Sequence, residues 1–255
     1  MSAIANNPHF TVLDETADYI VVDKPAPLQI HPKKPDGAPT LFDGLRELLA
    51  FEIANGGQVS IINRLDRETS GVVLVAKNAA TARRFGLAMQ ARQFHKTYAA
   101  LVHGWPKWEE MVCDAPILRK GEIEPSPIWV KQMVHPAGAE CRTEFRVIER
   151  REKGGRKIAL IEARPVTGRM HQIRVHLAHL GHAVVGDKIY GADERCYLDF
   201  IETGWTDDLE KRLLLRRHAL HSRELALETS GASQRWIAPL PEDIRAWLTY
   251  NCLEP

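Results

Sequence analysis

A polar loop runs directly into an apolar segment at residues 63–77, NRLDRETSGVVLVAK. The apolar run from Val72 predicts a buried strand, because it is short and rich in β-branched residues. In the loop, Asp66 lies between Arg64 and Arg67 and leads into Thr-Ser-Gly, a composition typical of a hydrogen-bonded turn. A carboxylate is ionised at neutral pH and cationic neighbours favour that form, so Asp66 is predicted to be charged. Taken alone, an ordinary Asx turn with solvated arginines is the simpler interpretation of this loop.

The patterns on either side of the loop indicate an α+β architecture. Strands are predicted at residues 19–24, 72–77, 97–102, 143–148, 158–163 and 218–227. Helices are predicted from an N-cap at Thr40 to the glycine pair at Gly56, and at residues 79–94, 171–180 and 241–253. Residues 29–37 are predicted to be loop, and residues 105–138 and 192–208 irregular connections or insertions. Strands separated by hairpin-length gaps outnumber strand–helix–strand units, which favours a mixed, largely antiparallel sheet over a doubly wound fold.

The composition is that of a globular protein able to bury a full core, with 255 residues, 44% hydrophobic and 26% charged. No apolar run approaches the ~20 residues of a membrane span, and the first residues lack the regions of a signal peptide. No C-x-x-C pair occurs, so we expect reduced thiols in a cytoplasmic protein and neither a disulfide frame nor a zinc site. The cysteines are Cys113, Cys141, Cys196 and Cys252.

The charge is unevenly distributed although the net charge is only +1. Residues 61–104 contain seven Lys and Arg against two acids, and residues 211–223 contain five Lys and Arg and no acid. Residues 193–210 contain seven acids and the single Arg195. Such a distribution is typical of a protein with one positive face, although ordinary mixed surface charge would also produce it.

Three further segments combine polar groups with a predicted element boundary. Residues 94–100, FHKTYAA, place Tyr98 at the start of a strand, where a tyrosine is usually a packing residue. Residues 167–177, TGRMHQIRVHL, open a helix whose apolar stripe includes Ile173 and Leu177. Arg174 lies beside that stripe and can point towards a pocket at the sheet edge. Residues 181–191, GHAVVGDKIYG, form a glycine-punctuated loop after the helix.

Together the four segments resemble the RluA-type family of pseudouridine synthases, which isomerise uridine in rRNA and tRNA. The family patterns R-L-D-x-x-T-S-G, K-x-Y-x-A, T-G-R-x-H-Q-[IL]-R-x-H and G-D-x-x-Y-G are all present here in order, and the likeness covers residues 10–238. The resemblance implies the α+β pseudouridine synthase fold, with a central mixed sheet flanked by helices and loops and an active-site cleft across it. Residues 10–240 would be the catalytic domain and residues 241–255 a C-terminal helix or tail.

The resemblance also assigns site residues. The catalytic aspartate falls on Asp66, the active-site tyrosine on Tyr98 and the basic residue that pairs with the aspartate on Arg174. Arg64 would enter the RNA stack where the target base leaves it, and Ile173 would close the pocket next to Tyr98. The other expected substrate contacts within the motifs are Arg67, Thr69, Lys96, Arg169 and His171.

Two departures from the family pattern affect expected substrate fit more than expected activity. Asn63 stands where many relatives have His, and Pro27 and Gln29 alter the usual K-P-x-G-L-x-V-H-P stretch. Many relatives also carry an N-terminal S4 RNA-binding module. Only about ten residues precede the first predicted strand here, so we expect that module to be absent and RNA recognition to come from the catalytic domain.

The implied reaction needs no metal, redox step or energy source, so we expect no cofactor. The target uridine must be flipped out of its stack, and Arg64 can fill the vacated space. Asp66 would attack the base, attack C1′ of the ribose or remove the C2′ proton, and the sequence does not choose among these. Tyr98 would stack on the uracil and is also a candidate to help remove the C5 proton. Phosphate contacts are expected from Arg83, Arg84, Arg92, Lys96, Arg169, Arg216 and Arg217. The expected partner is structured RNA, with no membrane, and the family likeness favours a monomer.

Other classes of function fit the residues less well. His171, His176, His179 and His182 do not have the His-x-x-x-His spacing of a zinc helix, and no acid or Cys pair completes a ligand set nearby. An RNA-binding module or chaperone without chemistry would not need a carboxylate among arginines. A hydrolase with an aspartate nucleophile would be expected to show a strand followed by Asp-x-Asp.

Overall fold

The computed structural model of the chain describes residues 10–32, 37–229 and 232–249. The strands in that part are β1 (Thr11–Glu15), β2 (Tyr19–Lys24), β3 (Ser60–Ile61), β4 (Ser70–Ala76), β5 (Phe94–His103), β6 (Glu110–Cys113), β7 (Ile117–Arg119), β8 (Gln132–Val134), β9 (Thr143–Lys153), β10 (Arg156–Pro165), β11 (Leu220–Thr229) and β12 (Ala232–Ile237). The helices are α1 (Leu41–Leu48), α2 (Ala50–Ala54), α3 (Ala79–Gln90), α4 (Gln172–His179), α5 (Arg195–Thr203), α6 (Asp207–Leu213) and α7 (Glu242–Leu248). None of these helices is long and apolar enough to cross a membrane.

One compact unit comprises residues 1–96 and 222–239, within the described limits. Its strands lie in the order β1-β2-β4-β11, with β3 paired to β4 and β12 to β11. Every residue of β4 is buried, so both faces of this strand are covered. That burial explains the uninterrupted apolar run from Val72, because a strand exposed on one face would alternate with polar residues. On one face of the sheet, Val72 and Leu74 form a core with Phe85 of α3 and with Phe94.

The second unit comprises residues 97–221 and 240–255. Its strands lie in the order β5-β10-β9-β6, and β7 pairs with β8 in a separate two-stranded sheet. Gly154 and Gly155 both have positive φ and join β9 to β10, because a two-residue hairpin turn of this kind favours residues without a side chain. Ile173 and Leu177 place one side of α4 in the core that covers this sheet. Every strand pair whose register is described in either unit is antiparallel, and the α+β class is confirmed.

Several predicted element limits are wrong. The first helix is divided at Leu49, although Leu49 N–H still donates to Leu45 C=O and Ile53 N–H to Leu49 C=O. The helix predicted at residues 79–94 ends at Gln90, because Arg92 adopts a left-handed conformation with φ 56°. This turn brings Phe94 into β5, where its ring lies 5.9 Å from that of Phe85.

The two segments predicted to be irregular contain regular structure. Residues 105–138 include β6, β7 and β8, whose short lengths and intervening prolines hide the alternation of a strand. Residues 192–208 contain α5 and the start of α6, which is capped by the Thr206 hydroxyl accepting from Leu209 N–H. In α5, Cys196 is buried and Ile201 is 63% exposed, so an exposed apolar residue hides the amphipathic pattern.

The last predicted strand and the last predicted helix also have wrong limits, and some strands were not predicted. The strand predicted from residue 218 begins at Leu220, and the strands β1, β3 and β12 were not predicted at all. The last helix ends at Leu248 because Thr249 is extended. The helix was predicted to continue to residue 253, and this prediction is wrong at Thr249. Cys252 and residues 33–36 of the predicted loop lie outside the described residues. Cys113, Cys141 and Cys196 are free thiols, and all three are buried.

Candidate active site

The loop that contains Asp66 is held by backbone hydrogen bonds from two directions. Thr69 N–H donates to the carbonyl of Asp66 at 3.1 Å, which closes the turn predicted from its composition. The carbonyl of Arg67 accepts from Leu28 N–H at 2.9 Å and from the Lys24 ammonium at 3.3 Å. The Asp66 side chain is partly exposed, whereas Thr69 is buried. The loop is therefore a fixed frame on which Asp66 keeps part of its surface exposed.

Asn63 ties the start of this loop to β4. Its side-chain amide donates to the carbonyl of Val72 at 2.9 Å, and its side-chain carbonyl accepts from Leu74 N–H at 2.8 Å. The residue is 5% exposed, so both bonds lie out of water. The departure from the family pattern at this position thus has a structural role that the motif comparison did not indicate.

Gly71 is required where the loop enters β4. Its φ is +114°, and a Cβ built there would lie 2.1 Å from the carbonyl oxygen of Ser222. Any other residue would displace β11 or the loop, because L side chains disfavour that conformation and backbone atoms cannot move aside cheaply. The glycine that ends the first motif therefore permits a close backbone approach.

Lys24 is a site residue that sequence analysis missed. Its side chain is fully buried, and its ammonium donates to the carbonyls of Pro25 and Leu28 at 2.9 Å each and to that of Arg67. A buried ammonium is tolerated when its protons are satisfied, and here the satisfying groups include the Asp66 loop. The signal for Lys24 was the Lys-Pro that begins the K-P-x-G-L-x-V-H-P stretch, which sequence analysis used only to compare this chain with the family.

The basic residues predicted around Asp66 differ in exposure. Arg64 and Arg67 are exposed on the same loop. Lys96 is half-buried at the start of β5, and burial lowers the pKa of its ammonium because the charged form loses hydration.

Tyr98 belongs to the second unit and lies at the end of the ladder that pairs β5 with β10. It faces Ala163 of β10 in the register of β5 and β10. Its half-buried ring packs against the core cluster that contains Ile173. The structure thus brings Tyr98 and Ile173 to one apolar cluster, and the expectation that Ile173 closes a pocket next to Tyr98 stays a prediction.

A buried glutamine organises the start of α4. The side-chain oxygen of Gln172 accepts from the Thr167 hydroxyl at 2.8 Å and from Arg169 N–H at 3.0 Å. Its side-chain nitrogen donates to the carbonyl of Arg142 and the hydroxyl of Thr143, both at 2.9 Å. His171, the N-cap residue, adopts a left-handed conformation with φ 59°. The loop before α4 is therefore shaped by Gln172, and Arg169 remains exposed at its outer side.

Arg174 is buried and is paired with Asp187. Its Nε donates to Oδ2 of Asp187 at 2.7 Å and its Nη2 to Oδ1 at 2.9 Å. Burial by itself would raise the pKa of the Asp187 carboxyl, but the Arg174 charge and its hydrogen bonds outweigh burial and hold that pKa well below its usual range. The expected pairing of Arg174 with Asp66 stays a prediction, and Asp187 is a partner that the motif comparison did not identify.

The histidines near α4 have separate partners. The Nδ1 atom of His171 lies 2.7 Å from the Tyr190 hydroxyl, that of His176 lies 2.9 Å from the Thr143 hydroxyl, and that of His182 lies 3.0 Å from the His103 carbonyl. Within the described residues, no group of three or more His, Cys, Asp and Glu is placed to hold a metal ion.

The chain is similar to known proteins over most of its length. A family model described as RNA pseudouridylate synthase matches residues 18–179. Ribosomal large subunit pseudouridine synthase D of Pseudomonas aeruginosa is 34% identical over 248 residues, which are 96% of this chain and 72% of the relative. The protein of the same name from Escherichia coli K12 is 33% identical over 237 residues, which are 91% of this chain and 68% of the relative. An uncharacterized RNA pseudouridine synthase of Aquifex aeolicus is 36% identical over 187 residues, 72% of this chain and 57% of the relative.

Two solved human structures share the fold. Human RNA Pseudouridylate Synthase Domain Containing 4 aligns with a TM-score of 0.71 at 23% identity, covering 93% of this chain and 91% of its own. Human RNA Pseudouridylate Synthase Domain Containing 1 aligns with a TM-score of 0.69 at 24% identity, covering 92% of this chain and 84% of its own. The strand and helix arrangement described above is thus one that these two proteins have in common.

Proposed function

This chain belongs to the RNA pseudouridylate synthase family, and from that premise we propose that it isomerises uridine in ribosomal RNA with Asp66 as its catalytic carboxylate. The observation that carries the proposal is the fixed loop of residues 63–71, which holds a partly exposed aspartate between two exposed arginines. A loop that only bound RNA would gain nothing from a carboxylate there, because the carboxylate repels phosphate.

The reaction conserves every atom of the nucleotide apart from one exchanged hydrogen. The bond between N1 and C1′ breaks, the uracil turns, and C5 bonds to C1′. C5 then loses its hydrogen as a proton, and N1 takes up a proton. Asp66 is the group proposed to engage the flipped nucleotide covalently or as a base. Its loop supports either role, because the hydrogen bonds at Asp66, Arg67 and Asn63 limit how far the carboxylate can move.

Tyr98 is proposed to stack on the flipped uracil. The ring has one side on a rigid cluster, which includes Ile173 and Ala100, and it keeps part of its surface exposed. A ring backed in this way loses little conformational entropy when a base stacks on it, and stacking is worth about 1–3 kcal/mol per base. Extrusion of the uridine costs about a few kcal/mol, and the stacking energy offsets part of that cost.

Arg64 is proposed to take the place of the extruded base. Its side chain is exposed on the loop that carries Asp66, two residues before the carboxylate. A guanidinium is planar and weakly hydrated, so it can stack between bases and contact a phosphate at the same time. Arg67 and Thr69 of that loop, and Lys96, Arg169 and His171, are proposed as further substrate contacts.

Three arginines, two on α3 and one in the turn just after it, are proposed to bind the RNA backbone. Arg83, Arg84 and Arg92, here called the α3 arginine surface, are exposed, and residues 79–94 contain no acid. In the part of the chain that the structure describes, none of the three forms an ion pair. Arg217 is withdrawn from the expected phosphate contacts, because it is buried and forms a two-point pair with Asp243. Arg216 is exposed and remains an expected phosphate contact, separate from the α3 arginine surface.

Ribosomal RNA is proposed as the substrate because the named relatives in Pseudomonas aeruginosa and Escherichia coli are ribosomal large subunit enzymes. The test uses transcripts of the large-subunit rRNA and of the tRNAs of the same organism, each labelled with tritium at uracil C5. Formation of the C5–C1′ bond expels that hydrogen, so tritium in water reports the reaction without knowledge of the site. The assay contains a chelator and no added cofactor.

We expect release from the large-subunit transcript and none from the tRNAs. Release from tRNA alone would overturn the rRNA assignment and keep the activity. Wild-type protein that binds both RNAs and releases tritium from neither would contradict the enzymatic proposal and favour an RNA-binding module.

A further inference from the structure

The loop of residues 186–191 is packed too closely for side chains at its two ends. Gly186 has φ +77°, and a Cβ there would lie 1.9 Å from the carbonyl oxygen of Arg217. A Cβ on Gly191 would lie 2.4 Å from the carbonyl oxygen of Asp187, to which Gly191 N–H donates at 3.0 Å. Both glycines are therefore needed for the close approach, and the four residues between them are held in one conformation.

Asp187 uses both of its oxygens within this loop and towards α4. Oδ1 accepts from the N–H groups of Ile189 and Tyr190 at 3.0 Å each and from Nη2 of Arg174. Oδ2 accepts from Nε of Arg174. Two contacts along one edge of a guanidinium fix both its position and its plane, which a single contact would not do.

Tyr190 completes the cradle around Arg174. The guanidinium carbon lies 5.0 Å from the centre of the Tyr190 ring, within the range of a cation–π contact. The Tyr190 hydroxyl accepts from the backbone N–H of Gln132 at 2.9 Å and lies 2.7 Å from Nδ1 of His171. The Tyr190 hydroxyl and His171 share one hydrogen bond, and the tautomer of His171 sets which of them donates.

We propose that the Gly186–Gly191 loop is a positioning loop for catalysis, in which Asp187 orients Arg174 and Tyr190 orients His171. The inference rests on the proposed function, since Arg174 and His171 are the residues through which Asp187 and Tyr190 would act. In this proposal Asp187 and Tyr190 are positioning residues, which act through Arg174 and His171 and do not contact the substrate themselves.

The burial of the pair supports a geometric role over a stabilising one. The Arg174 and Asp187 side chains are 5% and 0% exposed. Removing two charges from water costs about as much as their attraction returns, so a buried pair adds little net stability compared with apolar residues. What it adds is one defined arrangement, and His171 at φ 59° likewise needs its partner to hold it in a sparsely populated conformation.

The test replaces Asp187 by Asn. Oδ1 of the asparagine can still accept from the backbone of Ile189 and Tyr190, whereas its NH2 group would face Nε of Arg174, donor against donor. The matched control is Asp243→Asn, because Asp243 holds Arg217 at 2.6 and 2.9 Å in the same two-point manner. Both variants are compared with wild type for RNA affinity and for single-turnover tritium release, at a temperature where both are folded.

For Asp187→Asn we expect a rate of release that is lower by roughly 10- to 100-fold, the scale of about 1 Å of misplacement, with RNA affinity within about threefold of wild type. Asp243→Asn should keep the wild-type rate. If Asp187→Asn does not fold, Tyr190→Phe serves as the test, since it keeps the ring beneath Arg174 and removes only the hydroxyl. For Tyr190→Phe we expect a lower rate of tritium release with unchanged RNA affinity. Equal rates for the two Asn variants, or a wild-type rate for Tyr190→Phe, would overturn the inference, whereas an inactive wild type would overturn the proposed function itself.

Discussion

Arg174 and Asp187 form a buried two-point ion pair, with Nε 2.7 Å from Oδ2 and Nη2 2.9 Å from Oδ1. Asp187 also receives the backbone N–H groups of Ile189 and Tyr190, so its carboxylate links the loop after α4 to the helix itself. Removing one partner would leave a buried charge without compensation, and the cost of that is about 3–5 kcal/mol.

The first prediction concerns acid stability. Folding lowers the pKa of Asp187, because the Arg174 charge and hydrogen bonds outweigh burial. A carboxyl with a lowered folded pKa stabilises the fold above its unfolded pKa, and the contribution is lost as the pH falls through the folded pKa. We therefore expect the free energy of unfolding to fall below about pH 4, and more steeply for wild type than for Asp187→Asn. Denaturant titrations at pH 7, 4 and 3 measure this. Parallel pH profiles for the two proteins would contradict it.

The second prediction concerns mild acid and His176. This side chain is fully buried, and burial lowers the pKa of its imidazole, an effect only partly opposed by the bond from Nε2 to the carbonyl of Ala115. The unfolded chain takes up a proton below about pH 6.5 while the folded chain resists it, so stability falls as the pH drops from there through the folded pKa.

We expect His176→Gln to show a shallower loss of unfolding free energy between pH 7.5 and 5 than wild type. The maximum difference is about 1.4 kcal/mol per pH unit for one proton. A residual slope is expected from His103, whose pKa is lowered by burial and by Arg156. A His176→Gln slope equal to that of wild type would assign the pH dependence to other groups.

The third prediction concerns the anchor of the Asp66 loop. Asn63→Ala would leave the carbonyl of Val72 and the N–H of Leu74 buried without their partner. Each such group costs about 1–3 kcal/mol, so we expect a loss of about 3 kcal/mol in unfolding free energy. Asn55→Ala is the control, because its side chain bonds to Phe51 at an exposed position. Chemical unfolding of both variants checks this, and equal losses would show that the Asn63 bonds contribute nothing specific.

The fourth prediction concerns salt dependence. Replacing Arg83, Arg84 and Arg92 by Ala should lower the slope of log affinity for RNA against log salt by about 2, since each phosphate contact contributes about 0.7–0.9. Arg235→Ala with Arg245→Ala is the control, because these exposed arginines pair with Glu224 and Glu242. Filter binding between low and moderate salt gives both slopes. A triple variant with the wild-type slope would exclude the α3 arginine surface as a phosphate contact.

The elements that could be predicted from the sequence are those whose local pattern and tertiary environment agree. The apolar run from Val72 is a strand because both of its faces are buried, and Thr40 caps a helix because its hydroxyl and Asp43 satisfy each other. Phe94 shows where this fails. The helix was predicted to continue to Phe94, but α3 ends at Gln90, and Phe94 packs against Phe85 from the strand that follows.

The site could be predicted to the level of motifs and no further. The four patterns assign roles to Asp66, Tyr98 and Arg174 that stay predictions, and a pattern does not say which side chain a buried arginine contacts. Asp187 lies 13 residues from Arg174, and only the fold brings the two carboxylate oxygens to the guanidinium. Lys24 is similar, because its role depends on the carbonyl of Arg67, 43 residues away.

The most direct measurement of the central claim is tritium release by Asp66→Asn, with Glu68→Gln as the control. Each change replaces one carboxylate of the same loop by an amide of nearly the same size. The account predicts that Asp66→Asn binds the RNA substrate with wild-type affinity while its single-turnover release falls by at least about 10³-fold, and that Glu68→Gln retains release. Release by Asp66→Asn at the wild-type rate would contradict the assignment of Asp66 as the catalytic carboxylate.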